Sequence, residues 1–124
     1  PGLRFMRDPT RGGVATVVHE IVHATGFGAR LQEPAIPVRP AVRSVCEILG
    51  YDPMFLACEG RVVAVVAPEQ APQALAAMQS VELGRDAAII GHLQGEGRRV
   101  VLETELGGER YLEELEDDPL PRIC

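Results

Sequence analysis

The chain of 124 residues ends in Pro121-Arg122-Ile123-Cys124, so its last side chain is a thiol. A cysteine with no residue after it has nothing to hold it in a core, and its own α-carboxylate keeps it hydrated. What Cys124 retains is reach, as a soft nucleophile on a tether. Glu59 lies in Glu59-Gly60-Arg61, between the apolar runs Met54–Cys58 and Val62–Ala67. It reads either as part of an exposed hairpin turn or as a carboxylate held at the rim of a sheet, where it suits a base. Spacing alone favours the turn. Arg7-Asp8-Pro9-Thr10-Arg11-Gly12-Gly13 sets two arginines and two glycines ahead of an apolar helix pattern. Backbone N–H groups and guanidinium groups placed so can approach an anion; a capped helix start packed on a strand is the other reading.

A fourth group, His19-Glu20-Ile21-Val22-His23, fits H-E-x-x-H, in which two imidazoles on one helical face bind zinc and the glutamate serves a peptidase as base. Gly26 also sits where the extended motif has glycine. The third ligand position is Ala29, however. His19, Glu20 and His23 further lie opposite the valine stripe of their helix, on a face expected to be solvated. No metal site is therefore expected.

Elements must position these groups, and the periodicities supply them. Asp8 or Thr10 suits an N-cap and Pro9 a first helical position. Val14, Val17, Val18, Ile21 and Val22 then form one helical stripe that Gly26 and Gly28 end. Ala29–Gln32 is a short strand. Ala41–Leu49 is a helix with Val42, Val45, Cys46 and Leu49 inward, which makes Cys46 a core residue, and Gly50 closes it. Val62–Ala67 reads as a strand buried on both faces. Glu69–Val81 reads as a helix with Ala74, Leu75, Met78 and Val81 inward. Ala87–Leu93 and Arg99–Glu105 read as strands; His92, beside Gly91, receives no role. The sum is an α+β domain, residues 1–106, with helices covering a mixed sheet. From Gly107-Gly108 onward acidic residues dominate and Pro119 and Pro121 block regular structure, so 107–124 reads as a flexible acidic tail. Fully extended, its last dozen residues would span ~40 Å.

Composition narrows the chemistry. The formal charge of −6 argues against a nucleic-acid partner. No apolar run approaches the ~20 residues that span a bilayer, and no signal-peptide pattern opens the chain. Cys46, Cys58 and Cys124 lack C-x-x-C spacing, which favours a reducing cytoplasm over a disulfide scaffold. Lysine is absent, so Schiff-base chemistry and a Walker-type phosphate loop are excluded within this chain. Pro1-Gly2-Leu3 in place of an initiator methionine reads as the start of a fragment.

Three segments together, Arg7–Gly13, Ala57-Cys58-Glu59-Gly60-Arg61 and Pro121-Arg122-Ile123-Cys124, resemble the C-terminal half of the HypE family of hydrogenase maturation proteins. The first is shared with the wider aminoimidazole-ribonucleotide synthetase (PurM/SelD-like) superfamily; the terminal tetrapeptide is much more specific to HypE. The resemblance implies a PurM C-terminal-like, partly ferredoxin-like α+β fold. It also implies an ATP-dependent carbamoyl dehydratase in which Cys124 receives a carbamoyl group from HypF and is dehydrated to a thiocyanate. The cyanide then passes through a HypC–HypD complex to the iron of [NiFe] hydrogenases. Glu59 matches the family's proton-abstracting glutamate, and Arg7, Asp8, Thr10, Arg11, Gly12 and Gly13 match the segment facing the nucleotide phosphates. ATP and Mg would be bound mainly by an N-terminal half that is not in this chain, which alone is expected to be inactive; a homodimer is expected of the full-length protein. The family usually has Asn where this chain has His19, so one substitution creates the H-E-x-x-H match, and Asn where it has Cys58. The functions outside this family that the residues suggest are a zinc peptidase through His19, Glu20 and His23, and a non-catalytic interaction domain with an acidic tail.

Overall fold

The computed structural model describes residues 3–9, 12–56, 61–97 and 99–113. Its centre is helix α1 (Gly13–Thr25), whose predicted stripe is buried, Val14 only in part. The start of α1 differs from expectation: its N-cap is Gly12, left-handed at φ 71, with no side-chain cap hydrogen bond. Pro9 is buried ahead of the helix rather than serving as its first residue. The other end follows the sequence, with Gly26 at φ 78 donating its N–H to Val22 O at 2.8 Å.

α1 lies over a four-stranded mixed sheet ordered β4-β2-β5-β6, formed by β2 (Phe27–Gln32), β4 (Gly91–Glu96), β5 (Val100–Glu103) and β6 (Glu109–Tyr111). β2 runs antiparallel to β4 and parallel to β5, and β5 pairs antiparallel with β6. The core forms where Ala15, Val18 and Val22 of α1 meet Ala29 and Leu31 of β2 and Val100 and Leu102 of β5. Ile36, Met54 and Leu112 close its rim. Each large side chain buried here stabilises the fold by ~1.5–3 kcal/mol before entropy is counted.

A second, two-stranded sheet pairs β1 (Leu3–Arg7) antiparallel with β3 (Val63–Val66). β1 escaped the sequence reading because its partner lies about sixty residues away and five residues carry little periodic signal. β3 is half-buried rather than enclosed on both faces. Pro53–Phe55, at the start of the apolar run expected ahead of it, forms a 3-10 turn, and 57–60 lie outside the described residues. Asp52 caps that turn, its Oδ1 accepting from Met54 N at 3.0 Å.

Helix α2 (Pro40–Leu49) ends at Gly50 as read, and Cys46 is its one buried side chain; Val42, Val45 and Leu49, expected inward, are exposed. Helix α3 (Ala71–Gln79) is shorter than Glu69–Val81 because 3-10 turns at Pro68–Gln70 and Glu82–Gly84 flank it. Ala74, Leu75 and Met78 are half-buried and Val81 is exposed. β4 starts at Gly91 rather than Ala87 and runs on through Gly95. No helix among the described residues is long and apolar enough to cross a membrane.

The region read as tail holds its own element. Thr104 N donates to Gly108 O at 2.8 Å and Gly107 N to Thr104 O at 3.0 Å, closing a turn that returns the chain along β5 as β6. Leu112, next after β6, is 2% exposed in the core.

Candidate functional site

Of the residues singled out in the sequence, Thr10, Arg11, Cys58, Glu59 and Cys124 lie outside the described residues. Arg7, Asp8, Gly12 and Gly13 are placed, and they gather where β1 hands over to α1. Gly13 has φ 69, and a Cβ on it would lie 2.6 Å from Met54 O and 2.5 Å from Leu56 O. The close backbone approach expected of this glycine is therefore made to the chain itself, to the segment that runs on into Ala57–Gly60. Thr16 holds the entry to the helix, its hydroxyl donating to Gly12 O at 3.0 Å.

The first turn of α1 carries no acidic residue and its N-cap makes no side-chain cap hydrogen bond, so no side chain of that turn offsets the positive end of the helix dipole. That is the electrostatic feature of the described residues suited to a phosphate. Asp8 is exposed beside it. Arg7, expected to face phosphate, forms an ion pair with Glu20 of α1, both side chains partly exposed.

Glu20 is thus engaged by a guanidinium rather than poised over a metal, and His19 is buried rather than solvated, at 9% exposure. Its Nε2 lies 2.8 Å from Leu112 O; a carbonyl only accepts, so this nitrogen carries the proton and donates. A protonated Nε2 is no metal ligand, and the His19 and His23 rings stand 6.4 Å apart, tilted by 33°. Among the described residues no cluster of three His, Cys, Asp or Glu side chains could hold a metal ion. The correction on His19 has a simple cause. Ala15, His19 and Val22, at i, i+4 and i+7, run along one edge of the buried surface, which is wider than the valine stripe because α1 contacts both the Pro53–Phe55 turn and the sheet. The alanine at position 15 was the available signal.

Two further side-chain links tie β6 to its surroundings. Arg110 Nη2 donates to Asp52 Oδ2 at 2.6 Å, joining β6 to the turn that Asp52 caps. Arg30 of β2 bridges Glu103 of β5, at 3.0 Å, and Glu109 of β6. The hydrogen bond that Arg30 donates to Glu109, reinforced by Glu103 against some desolvation, holds the guanidinium above its ordinary pKa. An open cleft of about 630 Å³ lies beside this triad, lined by Gln32, Pro34, Glu103, Thr104 and Glu109; of the phosphate-facing candidates, the described ones, Arg7, Asp8, Gly12 and Gly13, do not line it.

Residues 2–103 match the family model described as AIR synthase related protein, C-terminal domain. Carbamoyl dehydratase HypE of Bradyrhizobium diazoefficiens is 49% identical over 99% of this chain, which spans 36% of that protein. The crystal structure of Escherichia coli HypE, a hydrogenase maturation protein, superposes with a TM-score of 0.91 at 48% identity, covering 100% of this chain and 39% of that one. A HypE structure in complex with ATP matches with a TM-score of 0.90 at 40% identity over 99% of this chain and 38% of its own. A HypE–HypF complex matches at 0.87 and 41% identity, over 92% of this chain and 37% of its own. The chain thus spans little more than a third of the length of the relatives it matches, and what it matches is their α+β unit. It belongs to the family of AIR synthase related proteins, as their C-terminal domain.

Proposed function

We propose that this chain is the C-terminal domain of a HypE-type carbamoyl dehydratase, acting in the cytoplasm in hydrogenase maturation. The observation that carries the reading is near-complete coverage of the chain at 49% identity to a carbamoyl dehydratase HypE. The fold agreement with E. coli HypE and the terminal Pro121-Arg122-Ile123-Cys124 support it.

In this reading Cys124 Sγ carries a carbamoyl group supplied by HypF; the HypE–HypF complex among the structural relatives favours that partner. Dehydration needs the amide oxygen turned into a leaving group. Transfer of the terminal phosphoryl group of ATP to that oxygen does this, and the HypE structure with ATP supports the nucleotide. As phosphate departs with the oxygen, both N–H protons are lost and the carbon–nitrogen bond becomes triple, giving S–C≡N. Glu59 is the base proposed for proton removal. The uncapped start of α1, with Gly12 and Gly13, suits the phosphate end of the nucleotide. Arg7 can add positive charge there only by sharing or leaving Glu20. Asp8, Thr10 and Arg11 belong to the same segment, Mg accompanies the nucleotide, and the rest of the protein supplies the main ATP site. The cyanide goes on to a HypC–HypD complex, and the full-length protein works as a homodimer.

The test is intact-mass spectrometry of the full-length protein after incubation with HypF, carbamoyl phosphate and ATP. Cys124 should gain one carbamoyl group and then lose one water, and Cys124→Ala should show neither change. A wild-type protein whose mass never changes would sink the reading.

A further inference from the structure

The start of α1 is bare of side-chain support. Its N-cap, Gly12, makes no side-chain hydrogen bond, and Gly12 and Gly13 stand left-handed at φ 71 and 69. Thr16 ties Gly12 O back to the helix, but two glycines have the widest backbone freedom a chain offers. Free N–H groups place an anion only if their own backbone is held still. The hold on Gly13 comes from across the fold. The carbonyl oxygens of Met54 and Leu56 lie 2.6 and 2.5 Å from where its Cβ would stand, so the 53–56 segment closes on the bare face of the glycine. Asp52 decides where that segment lies. Its Oδ1 accepts from Met54 N at 3.0 Å and its carbonyl from Phe55 N at 3.0 Å, which folds the turn, and Met54 is buried in the core. Its Oδ2 accepts from Arg110 Nη2 at 2.6 Å, which fastens the turn to β6.

We propose that Asp52 is a positioning residue for the phosphate end of the nucleotide: by capping the Pro53–Phe55 turn and fastening it to β6, it seats Gly13 and so aims the first N–H groups of α1. This rests on the carbamoyl dehydratase reading above, which puts the nucleotide phosphates at Gly12 and Gly13. The role needs no contact between Asp52 and the nucleotide. A carboxylate would repel phosphate at short range, and here both oxygens are already committed, one to Met54 N–H and one to Arg110. The two oxygens also do separable jobs. Asparagine keeps an acceptor for Met54 N–H but loses the ion pair, and loss of Arg110 removes only the fastening. Alanine removes both. The losses of ATP affinity should therefore be graded, whereas a residue that mattered only for overall stability would not grade them.

The experiment is calorimetric titration of the full-length protein with ATP, which reads affinity and the number of competent sites separately. Asp52→Ala should weaken ATP binding about tenfold at an unchanged number of sites. Asp52→Asn, and Arg110→Met, which keeps the aliphatic stem, should each weaken it only about threefold. Wild-type affinity in Asp52→Ala, or a loss of sites at unchanged affinity, overturns the proposal. So does an Asp52→Asn protein that binds as weakly as Asp52→Ala. Should Asp52→Ala fail to fold, the other two variants decide: the same partial loss in both supports the proposal, and wild-type affinity in both overturns it. Should the wild-type protein bind no ATP, the nucleotide part of the functional reading has failed, and hydrogen exchange judges the seating of Gly13 by itself. The Val17 and Val18 amides should then lose more protection in the variants than amides of β2, and an equal change in both would overturn it.

Discussion

A side-chain carbon on Gly13 would lie 2.5 Å from the carbonyl oxygen of Leu56. No real Cβ makes such a contact, and the atom it meets is backbone, which cannot swing aside. The residue is also held at φ 69, where an L side chain is strained in any surroundings. Gly50, at φ 75, shares the backbone demand but has nothing within 4 Å of the position a Cβ would take.

The pair makes a controlled comparison. Gly50→Ala should cost ~1 kcal/mol, the left-handed penalty alone. Gly13→Ala should cost at least ~2–3 kcal/mol more, since α1 or the 53–56 segment must move. Denaturant unfolding of the full-length protein with each substitution measures both. Equal losses would show that the segment yields at no cost and that the approach to Gly13 is not tight.

Zinc content should not depend on His19 or His23. Nε2 of His19 is committed as a donor to Leu112 O, and Glu20 is paired with Arg7. Elemental analysis of purified protein should find no stoichiometric zinc, and the double substitution to alanine should leave the figure unchanged. Zinc at one equivalent in the wild type that vanishes in the double variant would restore the peptidase motif.

How far the sequence carried depends on whether a feature is local. The stripe on α1 and its end at Gly26 are written in neighbouring residues, and they stand. So do the α2 end at Gly50 and the burial of Cys46. The Val42, Val45 and Leu49 stripe of α2 shows the limit, because periodicity identifies a face but not what covers it. β1 needed β3, and β6 needed the Thr104–Gly108 turn to send it back along β5. The site divides in the same way. Gly12 and Gly13 announced a close approach, yet only the fold reveals that Met54 and Leu56 are what is approached. His19 looked solvated because the valine stripe marks a narrower buried surface than α1 has.

Leu112 marks where the body of the chain gives way to the acidic segment. Leu112→Ala should destabilise the fold by ~2–4 kcal/mol, as expected for a truncated core leucine. Deletion of residues 114–124 should leave the melting temperature nearly unchanged, while deletion from Gly108 onward should lower it by several degrees. Equal melting temperatures for the two truncations would mean that β6 and Leu112 contribute nothing and that the tail starts at residue 107 after all.

The sharpest chemical prediction concerns Glu59. Glu59 lies outside the described residues, between the 3-10 turn at Pro53–Phe55 and strand β3. Gln has the size of Glu and keeps hydrogen-bonding capacity, but at neutral pH it cannot accept a proton. In the full-length protein Glu59→Gln should be carbamoylated on Cys124 at the wild-type rate and then stall before water is lost. The size of the block should fall in the range of ~10²–10⁴-fold that removal of a general base produces. Mass spectra taken over time distinguish the outcomes directly, since the stalled species keeps the full carbamoyl mass. Conversion to thiocyanate at an undiminished rate would remove Glu59 from the chemistry and leave proton abstraction to another group.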